Sequence, residues 1–119
     1  ERYVLAIYYY STSGDDWNRN SGWLSSRNHC INWFGISCNN DGRVESISMN
    51  ENNVDGIIPS ELGLLLSLSR IMLYDNHLTG TIPIELYGLE KISFIDVETN
   101  SLTGEYYLST TSFRQIGEF

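Results

Sequence analysis

The chain is poor in positive charge. Seven Lys and Arg stand against 15 Asp and Glu in 119 residues, a net charge of −8. A nucleic-acid partner needs a basic face to neutralise phosphates, and an anionic membrane surface needs the same, so neither partner class is expected. Long apolar runs are also missing. "YVLAIYYY" at residues 3–10 is the longest, well short of the roughly 20 residues of a membrane-spanning helix, so this segment is not itself expected to span a membrane. Glu1 is neither an initiator Met nor the start of a signal-peptide pattern, which reads as a processed or trimmed N-terminus. No Asn-x-Ser/Thr sequon occurs, so glycosylation offers no support for a secretory route.

Cysteine is reduced to Cys30 and Cys38, eight residues apart between turn-rich flanks. The pair can close one disulfide or lie as two buried thiols, and spacing leaves both open. A bridge would imply an oxidising compartment.

Apolar content is ordinary, and the length suits one domain. Residues 1–11, "ERYVLAIYYYS", have no Gly or Pro and read as a helix. Gly14 and the Asp15-Asp16 pair end it or start the next turn, with the two acids best used as helix caps. Residues 14–43 are dense in Asn, Ser and Gly and hold all three tryptophans, Trp17, Trp23 and Trp33, which suits a small Trp-filled subdomain.

From Val44 the chain repeats itself. "LYDNHLTGTIPIEL" at 73–86 returns 24 residues earlier as "MNENNVDGIIPSEL" and 24 later as "VETNSLTGEYYLST". Val44, Ile47, Met49, Asn52, Val54, Gly56, Ile58, Pro59 and Leu62 make the first unit. Leu68, Ile71, Leu73, Asn76, Leu78, Gly80, Ile82, Pro83 and Leu86 make the second. Ile92, Ile95, Val97, Asn100, Leu102 and Gly104 make the third, and Phe113, Ile116 and Phe119 open an incomplete fourth. This is the L-x-x-L-x-L-x-x-N-x-L signature of a solenoid. Alternation about Ile47-Met49, Ile71-Leu73 and Ile95-Val97 predicts short strands stacked in parallel. Asn52, Asn76 and Asn100 are expected to bond loop backbone groups in a ladder. Gly56, Gly80 and Gly104 fall at tight bends. Pro59 and Pro83 predict an extended return on the outer side, with few or no helices and irregular loops there.

These units resemble the plant-type leucine-rich repeat, with its N-x-L-x-G-x-I-P core. The N-terminal part resembles the cap of plant receptor-like kinases and polygalacturonase inhibitors, through Gly14-Asp15-Asp16-Trp17, Trp23-Leu24 and the Cys30–Trp33–Gly35–Cys38 ending. One residue more than the family pattern separates Cys30 from Trp33, and Tyr106-Tyr107 replace Ile-Pro in the third unit. The resemblance implies a disulfide between Cys30 and Cys38. It also implies an α/β-type solenoid with an N-terminal helical cap over residues 1–43, then repeats over 44–119 as one continuous domain. Its short parallel sheet would line the concave face.

In such a solenoid the inward leucines are core, and the strand face is free to bind. The phase puts Glu45, Ser46, Ser48, Asn50 and Glu51 there, then Ser69, Arg70, Met72, Tyr74 and Asp75, then Ser93, Phe94, Asp96, Glu98 and Thr99. Aromatic anchors and an Arg within a polar rim suit a protein interface. The candidate binding residues are Glu51, Arg70, Met72, Tyr74, Asp75, Phe94, Asp96 and Glu98, and the expected partner is a protein or peptide. The resemblance implies the secretory route to the cell surface or exterior, with an oxidising organelle lumen as the alternative. A second reading is a structural accessory subunit of a larger assembly, docked through an open C-terminal edge of Tyr106, Tyr107, Phe113, Ile116 and Phe119, since repeat arrays need caps. An enzyme is not expected. Asp75 and His77 lie at a turn, His29 abuts Cys30, and Glu61 and Glu85 recur with the repeat. No nucleophile–base set forms, and no metal or cofactor site is expected.

Overall fold

A computed structural model describes residues 1–104. Helix α1, Arg2–Ser11, buries Val4, Leu5, Tyr8 and Tyr9, a helical stripe facing one side. Its aromatic face meets the cap tryptophans. The Tyr8 ring lies 5.4 Å from Trp17, Trp17 stands edge-on to Trp23 at 4.9 Å, and Trp23 sits 5.1 Å from Trp33. Buried indole N–H groups need acceptors. Trp17 Nε1 donates to Thr12 O at 2.9 Å and Trp23 Nε1 to Phe34 O at 2.8 Å. The acids after α1 do not cap a helix. The short 3₁₀ turn Gly14–Asp16 has no side-chain cap, and the Asp15 carboxylate instead accepts the Tyr9 hydroxyl. The turn's own N–H groups are already used, Asp16 N–H by Ser13 O and Trp17 N–H by Gly14 O, which leaves the Asp15 carboxylate to the phenol.

The single-turn helix α2, His29–Asn32, leads to strand β1, Ile36–Cys38. Cys30 and Cys38 form a disulfide across it, with Cα atoms 5.3 Å apart. Strand β1 pairs antiparallel with β2, Val44–Ser48, setting Ile36 opposite Ile47 and Ser37 opposite Ser46. From there the sheet continues in parallel through β4, Arg70–Met72, and β6, Phe94–Asp96, in the order β1-β2-β4-β6. Ile47, Ile71 and Ile95 stand in one register column, and all three are buried.

The asparagines form the expected ladder. Asn100 Oδ1 accepts the Leu78 N–H at 2.9 Å, while its amide donates to Leu73 O and Val97 O. At the N-terminal end no earlier repeat exists to pair with Asn52, and the cap supplies a substitute. Arg19 N–H donates to Asn52 Oδ1 at 2.8 Å and Arg19 O accepts from its amide at 2.9 Å.

The outer side differs from the sequence expectation in two ways. It holds a second parallel sheet, β3 (Asp55–Ile57) with β5 (His77–Thr79), where irregular loops were expected. Each proline also starts a helical turn. Pro59 and Pro83 are extended, at ψ 143° and 136°, and then lead into a 3₁₀ helix at Ser60–Leu64 and helix α3 at Ile84–Tyr87. Proline at a helix start loses no hydrogen bond, because the first N–H groups are unpaired in any helix, and its fixed φ suits the entry. Leu65 and Leu89, 24 residues apart and both buried, extend the repeat core beyond the phase read from sequence. One core cluster runs from Val4 to Leu102, and no helix among the described residues is long and apolar enough to cross a membrane.

Candidate functional site

The open face of the four-stranded sheet is a grid set by register. Ser46, Arg70 and Phe94 share one column, and Ser48, Met72 and Asp96 share the next. Between them the isoleucines point into the core, as strand alternation requires. Ladder bonds carry the same face past the strand ends, with Glu51 N–H donating to Tyr74 O at 2.8 Å and Asp75 N–H to Glu98 O at 2.9 Å. Tyr74 N–H is held by Asn50 Oδ1 at 2.7 Å.

Within the grid, the Arg70 guanidinium carbon sits 5.4 Å from the Phe94 ring centroid, a cation–π contact. Met72, Tyr74, Phe94, Asp96 and Glu98 are half-buried, while Arg70 is exposed. Asp96 accepts from Glu98 N–H at 3.2 Å.

Several of the residues assigned to the strand face from sequence lie beyond the strands, and three of them leave extended geometry. Glu51, Asp75 and Thr99 adopt left-handed φ values of 51°, 56° and 58°. They sit in the turn that delivers the next asparagine to the ladder, where the chain reverses its sense of coil and strand alternation no longer applies. Their side chains therefore belong to a rim. Glu51 and Asp75 line an exposed depression of about 400 Å³ with Asn18, Asn53 and His77. His77 is the first residue of β5 and is exposed.

A second depression of about 590 Å³ lies on the sheet face, lined by Ser37, Glu45, Ser46, Ser48, Ser69, Arg70 and Met72. Ser37 was missed as a face residue because β1 was not anticipated; the Ile36-Ser37-Cys38 alternation was its only signal. His29 lies beside the two cysteine sulfurs, but those atoms are consumed in the disulfide, and His29 Nε2 faces Glu1 Oε1 at 3.4 Å. The edge residues Tyr106, Tyr107, Phe113, Ile116 and Phe119 lie outside the described residues.

This fold, with its asparagine ladder and 24-residue register, has recognisable relatives. The leucine-rich repeat family matches residues 67–89. A probable leucine-rich repeat receptor-like protein kinase of Arabidopsis thaliana is 36% identical over 80 residues, covering 59% of this chain and 8% of that protein. Residues 67–89 are a leucine-rich repeat, and the chain is similar to leucine-rich repeat proteins of the plant type. The crystal structure of PEPR1–AtPEP1 matches this chain with a TM-score of 0.70 at 27% identity, over 85% of this chain and 14% of that one. The Arabidopsis receptor kinase HAESA, solved in complex with the peptide hormone IDA and the co-receptor SERK1, matches with a TM-score of 0.73 at 24% identity, over 85% and 17%. At that identity the second likeness is one of fold. The chain thus spans a small part of each of these proteins.

Proposed function

We propose that this chain is a non-catalytic leucine-rich repeat module that binds a protein or peptide on the concave face of its four-stranded sheet. The observation that carries this reading is the Arg70–Phe94 pair standing beside Met72 on an otherwise polar face. Partly buried aromatics, Met and Arg inside a polar rim are the composition that interface cores favour. Tyr74, next along the face, adds a second aromatic anchor. Glu51, Asp75, Asp96 and Glu98 make that rim acidic, which suits a partner whose flanks are basic or polar. HAESA, of the same fold, is solved with a peptide hormone, so the architecture is compatible with a peptide ligand. The disulfide and the receptor-like relative support a place outside the cell or at its surface.

The test is affinity for a partner isolated on the immobilised chain, measured by calorimetry. Tyr74→Ala and Phe94→Ala are each expected to weaken binding about tenfold or more, with the thermal unfolding midpoint little changed. Unaltered affinity in both variants would sink the concave-face reading.

A further inference from the structure

The first parallel strand presents only small polar side chains to the open face, Ser46 and Ser48. At the same registers the next strand presents Arg70 and Met72. Serine beside arginine and methionine makes a step in the surface. On the other side Ser37 of the cap strand stands opposite Ser46. The step and the cap strand enclose the depression of about 590 Å³ described above.

Arg70 forms one wall of it. Its guanidinium is positioned by the Phe94 ring at 5.4 Å and by Met72 Sδ, 3.8 Å from one of its nitrogens. A ring face and a thioether occupy little hydrogen-bonding capacity, since a guanidinium has five N–H donors and sulfur is a weak acceptor. Among the described residues the one ion pair joins His29 to Glu1, so Arg70 has no carboxylate partner there. That holds in a chain with 15 acids and seven bases. Ser69 already donates to Glu45 O at 3.1 Å, which leaves Ser46 and Ser48 as the floor. Glu45, in the same depression, opposes a doubly charged oxyanion more than a singly charged one.

We propose that this depression is a carboxylate subsite. A carboxylate of the partner pairs two-point with Arg70, and the group that carries it lies on the Ser46–Ser48 floor. Planar guanidinium and planar carboxylate match in this way. The inference rests on the concave-face reading and adds to it the chemistry presented at the cap end of the face. The segment seated here is small, because the depression is bounded by the cap strand on one side and the Arg70–Met72 wall on the other.

The experiment is a nuclear magnetic resonance titration of the chain, following the Arg70 Nε–H and the Ser46 and Ser48 amides. The probes are N-acetylglutamate methylamide, N-acetylglutamine methylamide, N-acetylglycine and inorganic phosphate. A carboxylate probe is expected to give saturable shifts at all three positions, at least about tenfold tighter than the glutamine probe. Arg70→Gln is expected to abolish them. A stronger response to the glutamate probe than to N-acetylglycine assigns a side-chain carboxylate, and the reverse assigns a chain terminus. Ser46→Trp, whose side chain fills the depression without removing Arg70, should block the carboxylate as well. Equal shifts with glutamate and glutamine, tighter binding of phosphate than of either carboxylate, or binding that survives Arg70→Gln would overturn the subsite. If Arg70→Gln leaves partner affinity unchanged while Tyr74→Ala and Phe94→Ala lower it, the subsite falls and the face stands. If all three leave it unchanged, the face falls too.

Discussion

Asn52 and Asn76 are joined across 24 residues, with Asn76 Oδ1 accepting the buried Asn52 N–H at 2.9 Å. The same oxygen takes the Val54 N–H at 3.0 Å, and the Asn76 amide donates to Met49 O and Leu73 O. One side chain thus satisfies backbone groups of two successive turns. Asn76→Ala would leave both N–H groups buried and unpaired. A loss of about 3 kcal/mol or more is expected, since each orphaned group costs about 1–3 kcal/mol. Urea unfolding checks this, and a loss below 1 kcal/mol would mean that water replaces the amide.

Two glycines separate backbone strain from collision. At Gly56, φ is +144° and an added Cβ would lie 2.1 Å from Ser11 O, at the end of α1. At Gly42, φ is +76° and nothing lies within 4 Å. Gly42→Ala is expected to cost only the left-handed penalty, about 1–2 kcal/mol. Gly56→Ala must also push the helix end away from β3, where Thr12 O accepts the Asp55 N–H at 3.1 Å, so it should destabilise clearly more. Equal unfolding midpoints for the two variants would contradict this account.

The cap is stapled by one short loop. Replacing both Cys30 and Cys38 by Ala releases the loop that holds α2, Trp33 and β1. The expected loss is about 2–3 kcal/mol from the greater freedom of the unfolded chain. Denaturant midpoints of the variant, compared with the oxidised protein, measure it.

The aromatic cluster makes the protein sensitive to alkali. Burial, then the hydrogen bond to Asp15, pushes the Tyr9 hydroxyl up to about 12, and burial raises Tyr8 as well. An unfolded tyrosine titrates near 10. Between pH 10 and 12 the unfolded chain therefore releases protons that the folded chain keeps. The stability held by these groups is intact below pH 10 and falls as pH rises through that window. Tyr9→Phe is expected to make the fall shallower, with Tyr8 supplying what remains. An unchanged slope in urea midpoints from pH 9.5 to 12 would refute the assignment to Tyr9.

Much of the fold was legible because one short pattern is repeated. The 24-residue spacing of Ile47, Ile71 and Ile95, and of Asn52, Asn76 and Asn100, identified core and ladder positions without any knowledge of contacts. The adjacency of Arg70 and Phe94 followed from the same spacing. The strand ends did not. Glu51, Asp75 and Thr99 carry no glycine signal for their left-handed turn, and at Glu51 and Asp75 the backbone N–H is held by the next repeat, at Tyr74 O and Glu98 O. The serine floor beside Arg70 was visible as residues but not as a depression, since Ser37 comes from a strand paired by the cap.

Sequence alone determined the period, the inward side chains and the asparagine joints, because each is a local pattern that one repeat must share with the next to bury a common core. Tertiary structure decided the antiparallel docking of β1, the second sheet, the Arg19 substitute for a missing repeat and the step beneath Arg70. Strands of three residues have too little periodicity to name their neighbours, so pairing across the chain settles where they lie and what they expose.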